Sequence, residues 1–266
     1  MRPSLKKSLP IYPLTLVIAV VVSILYVSPL LASTTDEAVN KAGKQRMITQ
    51  RIMKDYALVG MNIEVGDPAT DLSNLITEFD SNLKTLKEVS GNKVFSDSLV
   101  QVEKLWIPIK ATLKISPNEK AAPKLQKDLD ALLDACNKST NLIAGNASNE
   151  KLNIINLSGK QRMLSQRMAA LYMLKAWKVD DGNFQKKLHS AMDEFSAAHK
   201  TLVSSSFSNT EIKTLLKKVK KAYMWFEMMG KSKSNRVIPA LINRSANSIL
   251  ADMDKVTNLY TSSKSN

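Results

Sequence analysis

The chain has one cysteine, Cys136, so no intrachain disulfide can staple it. Leu132, Leu133 and Leu142 lie near it in sequence, and it reads as a small core residue. Eight glycines and nine prolines in 266 residues leave little material for short strands joined by tight turns. There are two histidines, His189 and His199, without a cysteine or acid cluster at metal-ligand spacing. A nucleophile–base arrangement and a glycine-rich phosphate loop are also missing, so the sequence does not read as an enzyme and no cofactor is expected.

Long apolar runs are equally scarce: there is one, from Ile11 to Ala32, preceded by Arg2, Lys6 and Lys7. Residues 1–32 therefore read as a signal peptide or a signal anchor, and the poor cleavage sequence Leu30-Leu31-Ala32 tips the balance toward the anchor. Positive charge before the run puts the N-terminus in the cytoplasm and the remainder outside, in the periplasm, tethered to the inner membrane or released by cleavage. The leader carries three of the net +14 charges, leaving about +11 on the exported part. A basic exported domain points to anionic partners, and export without a reading motif argues against nucleic acid. The lysine run from Lys213 to Lys233 reads as a solvated helix face.

What remains is rich in Leu, Lys, Ala, Met and Asn with helical periodicity. The spacing predicts helices over 36–64, 69–90, 94–115 and 120–145, then 148–178, 182–204, 208–230 and 234–262. Asp67-Pro68 and Ser116-Pro117 look like N-caps followed by proline in the first turn, and Pro108 falls inside a helix. The fold class is all-α: two tandem up-down four-helix-bundle repeats, 36–146 and 148–263, after an apolar leader or anchor helix. If the chain turns at Gly145-Asn146, the first helices of the two halves run parallel. If it does not, the fourth and fifth helices fuse.

The repeat is written in polar residues. Asn40-Lys-Ala-Gly-Lys-Gln-Arg-Met-Ile-Thr-Gln-Arg51 returns at Asn156-Leu-Ser-Gly-Lys-Gln-Arg-Met-Leu-Ser-Gln-Arg167, 116 residues later, with eight of twelve positions identical. Glu78-Phe79 and Glu194-Phe195 share that offset, whereas Thr140-Asn141-Leu142 matches Thr257-Asn258-Leu259 with a slip of one residue. Trp106 and Trp225 are the expected aromatic equivalents.

On a helix, Arg46 and Gln50 share one stripe with Val39, Met53 and Ala57, and Arg162 and Gln166 share the equivalent stripe with Ile155, Ala169 and Met173. Apolar residues on the opposite side predict a helix buried almost all round. Lys44 with Arg51, and Lys160 with Arg167, occupy a more exposed sector. A buried arginine needs a counter-ion. Either it pairs with a carboxylate such as Glu78 or Glu194, or its partner is a ligand, for which the guanidinium fork suits planar oxyanions. Gly43 and Gly159 would admit a close neighbour.

The motif Asn-x-x-Gly-Lys-Gln-Arg-Met-x-Ser/Thr-Gln-Arg resembles the signature of the PilJ-type domain, the N-terminal domain of type IV pili methyl-accepting chemotaxis transducers. It resembles more distantly the helical sensor of NarX-like nitrate/nitrite kinases. The resemblance implies a ligand site between two copies of the first helix, at Gly43, Lys44, Gln45 and Arg46 with Gly159, Lys160, Gln161 and Arg162; Gln50 and Gln166, on the arginine stripes, complete the candidate ligand-binding set. It implies a periplasmic module that senses or binds a small anion such as nitrate or nitrite. The sequence ends at Asn266 without a second span or signalling module, so a protein signalling partner or a homodimer is expected. The alternative is a non-enzymatic structural or interaction protein of the cell envelope.

Overall fold

The computed structural model describes residues 28–89, 93–145, 149–179, 182–231 and 238–263. The leader up to residue 27 lies outside the described residues, as do the turn signals Ser90-Gly91-Asn92 and Asn146 to Ser148 and most of Gly230 to Asn235. Among the described residues there are eight helices and no strand: α1 Ser28–Gly60, α2 Pro68–Glu88, α3 Lys93–Thr112, α4 Ala122–Ala144, α5 Glu150–Ala176, α6 Phe184–Ser204, α7 Thr210–Lys231 and α8 Pro239–Ser262. None of these helices is long and apolar enough to cross a membrane.

The punctuation works largely as read. Asp67 caps α2 by accepting from the Thr70 amide at 3.0 Å, with Pro68 in the first turn. Gly145 takes φ 76° immediately after α4, so the chain turns there and α4 and α5 stay separate. Ser116-Pro117 instead lies in the α3–α4 link, and α4 begins at Ala122 with Pro123 in its first turn. Pro108 sits inside α3, which continues to Thr112.

Helices α1 and α5 form the middle of the molecule. Helix α1 packs on α2, α4 and α5, while α5 packs on α1, α6 and α8. Helices α3 and α7 stand outside, against α4 and α8 respectively. The apolar residues of all eight helices join in one core, which is why α5 is buried on nearly every side from Ile155 to Leu174. Within each half the third helix is held by an aromatic stack, Phe79 on Trp106 at 4.2 Å and Phe195 on Tyr223 at 4.5 Å. Tyr223, not the exposed Trp225, is therefore the counterpart of Trp106.

Candidate functional site at the crossing of the two motif helices

Helices α1 and α5 run parallel and in register. Toward their N-termini the Lys151 ammonium meets the Asp36 carboxylate, and two turns beyond the glycine crossing Arg167 donates to Gln50 Oε1 at 3.1 Å. At the C-terminal end Gly60 faces the Trp177 indole. Between these levels Gly43 and Gly159 oppose one another: a Cβ built on either glycine would stand 3.6 Å from the Cα of the other. The absence of both side chains is what allows the backbones to approach this closely.

The two arginines converge there. Nη2 of Arg46 and Nη2 of Arg162 each lie between 3.0 and 3.4 Å from the Cβ position of both glycines. Each guanidinium crosses to the other repeat: Arg46 Nη2 donates to the Asn156 carbonyl at 3.0 Å, and Arg162 Nη2 donates to the Asn40 carbonyl at 3.2 Å. The motif asparagines extend the symmetry. Asn40 donates to Asn258 Oδ1 and Asn156 donates to Asn141 Oδ1, both at 3.1 Å.

The symmetry breaks in two contacts. Arg162 Nη1 reaches the Asp254 carboxylate on α8 at 2.7 Å, while Arg46 Nη1 finds the neutral Asn137 Oδ1 on α4 at 3.4 Å. Asn40 Oδ1 also accepts from Arg162 at 2.8 Å, whereas the equivalent Asn156 Oδ1 has no partner among the described residues. Arg46 is thus a buried guanidinium, 2 % exposed, with no carboxylate partner among the described residues. Burial first, and then the like charge of Arg162, push it down to about 9 from 12.5, leaving it protonated at neutral pH. It lines a cleft of about 1020 Å³ walled by α4, α5 and the N-terminal half of α6.

The other expected site residues divide into two groups. Gln45 and Gln161 turn away from the crossing and donate to the carbonyls of Phe79 (3.2 Å) and Phe195 (2.7 Å), tying each motif helix to the next helix of its repeat. Gln166 does the same toward α8, donating to the Ala246 carbonyl at 3.0 Å. These amides are structural ties. Lys160 and Arg167 line the cleft, where Lys160 pairs with Glu194 at 2.8 Å and Arg167 with Asp130 at 2.7 Å, while Gln50 is buried behind Arg167. Lys44 is half-buried on α1. Glu194 accordingly serves Lys160, and the acid of Arg162 is Asp254. Arg51 and Arg167 are only about one-fifth exposed, less than their sector suggested.

The sequence reading missed a second buried charge system. Lys54, fully buried, contacts the Asp55 carboxylate at 3.3 Å and donates to Asn247 Oδ1 at 2.7 Å. The repeat held the signal: the equivalents of Lys54 and Asp55 are Ala170 and Leu171, so both are interior positions. The Cys136 thiol is buried and pushed up to about 12 by desolvation, in keeping with a packing role. Among the described residues no group of His, Cys, Asp and Glu could hold a metal ion.

A parallel pair of buried motif helices, each presenting an arginine to the other, defines an all-helical module built on two joined repeats. The family model described as "Type IV pili methyl-accepting chemotaxis transducer N-term", PilJ, matches residues 32–132 and 146–223, and the chain belongs to this family. The match falls in two segments, as tandem copies require. No curated protein and no solved structure matches the chain. The family is one of sensing domains, not of catalysts, and implies protein signalling partners in general.

Proposed function

We propose that the chain is a periplasmic sensing module that binds a small anion, nitrate or nitrite among the candidates, where α1 crosses α5. It reports occupancy to a separate signalling protein. The N-terminal apolar segment would hold it at the inner membrane or be removed on export. The organisation read from the sequence, two four-helix repeats fused in tandem, makes one chain the equivalent of a dimer.

One observation carries the reading: two buried arginines from different repeats meet at a glycine pair, and among the described residues only Arg162 has a carboxylate, that of Asp254. Two like charges held this close repel, and an anion at the crossing relieves the repulsion. Occupancy then favours the closely apposed arrangement of α1 and α5 over a more separated one, which a partner can read. Calorimetric titration of the full chain with nitrate, nitrite and simple carboxylates tests this. Binding is expected in the wild type and should weaken at least ten-fold in Arg46→Ala, about 1.4 kcal/mol. No heat with any anion, or unchanged binding in the Arg46→Ala, Arg162→Ala double variant, overturns it.

A structural role for Arg162 has its own support in the Asp254 ion pair and the Asn40 contacts. If locking the repeats together is its only task, Arg162→Met will lower stability by about 2–3 kcal/mol without any ligand present. Asp254 is about one-third exposed and can be solvated when left alone, which limits the loss. A denaturation midpoint at or above wild type would remove Arg162 from the structural account.

A further inference from the structure

The two halves of the crossing differ chemically at one pair of positions. The one-residue slip that aligns Thr140-Asn141-Leu142 with Thr257-Asn258-Leu259 also aligns Asn137 with Asp254. Both sit on the fourth helix of their repeat, and each faces Nη1 of that repeat's arginine. Each Nη2 donates to the facing asparagine carbonyl, and Arg162 Nη2 donates to Asn40 Oδ1 as well. At Nη1 the difference is a charge: carboxylate at 2.7 Å on one side, amide at 3.4 Å on the other.

We infer that the chain supplies one of the two anions of this crossing itself. Asp254 fills the seat of Arg162, and Arg46 keeps an open seat for one planar oxyanion, a carboxylate or its isostere nitrate, beside Asn137 in the cleft. This rests on the sensing reading above and fixes its stoichiometry and its side. Asp254 shows which chemistry the seat takes, because Nη1 of the guanidinium meets a carboxylate oxygen there. The cleft opens on the Arg46 side. The acids beside it that touch a cation, Glu194 and Asp130, are engaged by Lys160 and Arg167, while Asp134 lies exposed on the rim. About 1020 Å³ is far more than nitrate needs and is at the upper end for small-ligand sites, so an organic carboxylate with a polar body also fits. Asn137, Asn141 and Asn156 line the wall with neutral amides suited to such a body.

The test uses the full chain, with calorimetry and thermal melts in sodium nitrate, sodium acetate and sodium succinate against chloride at equal ionic strength. One anion per chain is expected, and the nitrate and carboxylate arms separate the two sources. Asn137→Asp closes the seat: anion affinity should fall at least ten-fold, and the melting temperature without anion should rise by several degrees. That rise should vanish below about pH 4, where the new carboxyl protonates. Asp254→Asn should melt lower and take up a second anion. Two anions on the wild type, or wild-type affinity in Asn137→Asp, overturns the inference while leaving the sensing reading intact. If no anion binds the wild type yet Asn137→Asp is stabilised, the sensing reading falls and the assignment of the seat stands.

Discussion

Asp55→Ala is expected to cost the folded chain about 3–5 kcal/mol, the penalty for leaving a buried charge without its partner. The charge is that of Lys54, fully buried on α1 and in contact with Asp55 at 3.3 Å. Once Asp55 is removed, the Lys54 ammonium keeps the amide oxygen of Asn247 as its one hydrogen-bond acceptor among the described residues. Burial holds the Lys54 ammonium below its ordinary 10.5 and the Asp55 carboxyl above its ordinary 3.8, while their mutual attraction opposes both shifts. The signs follow by linkage. Asp55 favours the fold while protonated, and that contribution is lost as pH rises from the ordinary carboxyl value through its raised one. Lys54 favours the fold when neutral, and that contribution is lost as pH falls from 10.5 through its lowered value. Removing both charges should behave quite differently from removing one. The second repeat carries Ala170 and Leu171 at these positions, both buried. Lys54→Met with Asp55→Leu should therefore match wild-type stability or exceed it, with a flatter dependence on pH. Urea midpoints from acid to alkaline pH check both outcomes. A double variant no better than Asp55→Ala would show that the pair is needed for its own sake.

That buried pair also marks where the sequence could be read and where it could not. Helix limits were accessible because Asp67, Pro68 and Gly145 act locally on the backbone, within a residue or two of their own positions. Ser116-Pro117 misled because the same residues also suit an extended link. The burial of Arg46 and Arg162 followed from the apolar residues around them. Their partners did not, because the choice between Glu194 and Asp254 depends on how α6 and α8 are rotated about α5. The charge difference between Asn137 and Asp254 was present in the one-residue slip, and only the shared contact with Nη1 gives it meaning. Trp106 was matched to Trp225 by residue type, whereas the physical equivalence is a ring stacked on Phe79 or Phe195, which Tyr223 supplies. Gln45 and Gln161 show the opposite relation between repetition and role. They repeat identically for a structural reason, each holding a carbonyl of the next helix. Identity between the halves therefore marks both the scaffold and the site, and only geometry separates the two.

Gly159→Leu is expected to lower stability by about 3 kcal/mol, at the upper end of the usual cost of overpacking. Its Cβ would stand 3.0 Å from Arg46 Nη2, 3.4 Å from Arg162 Nη2 and 3.6 Å from the Cα of Gly43. The guanidinium groups sit at the ends of flexible side chains and can yield by a few tenths of an ångström, but the facing helix backbone cannot. Gly159→Ala is the informative contrast. Alanine gains roughly 1 kcal/mol of helix propensity over glycine, which offsets the close contact, so its stability should stay near wild type. Anion affinity should nevertheless fall, because the added methyl presses on the guanidinium that carries the open seat. Gly43→Ala, with nearest contacts at 3.2 and 3.3 Å, should follow the same pattern more weakly. Urea midpoints and calorimetric affinities for the three variants separate packing from recognition. If leucine at 159 leaves the midpoint unchanged, α1 and α5 do not meet as closely in solution as the glycine pair allows. A shared site for Arg46 and Arg162 would then lose its structural basis.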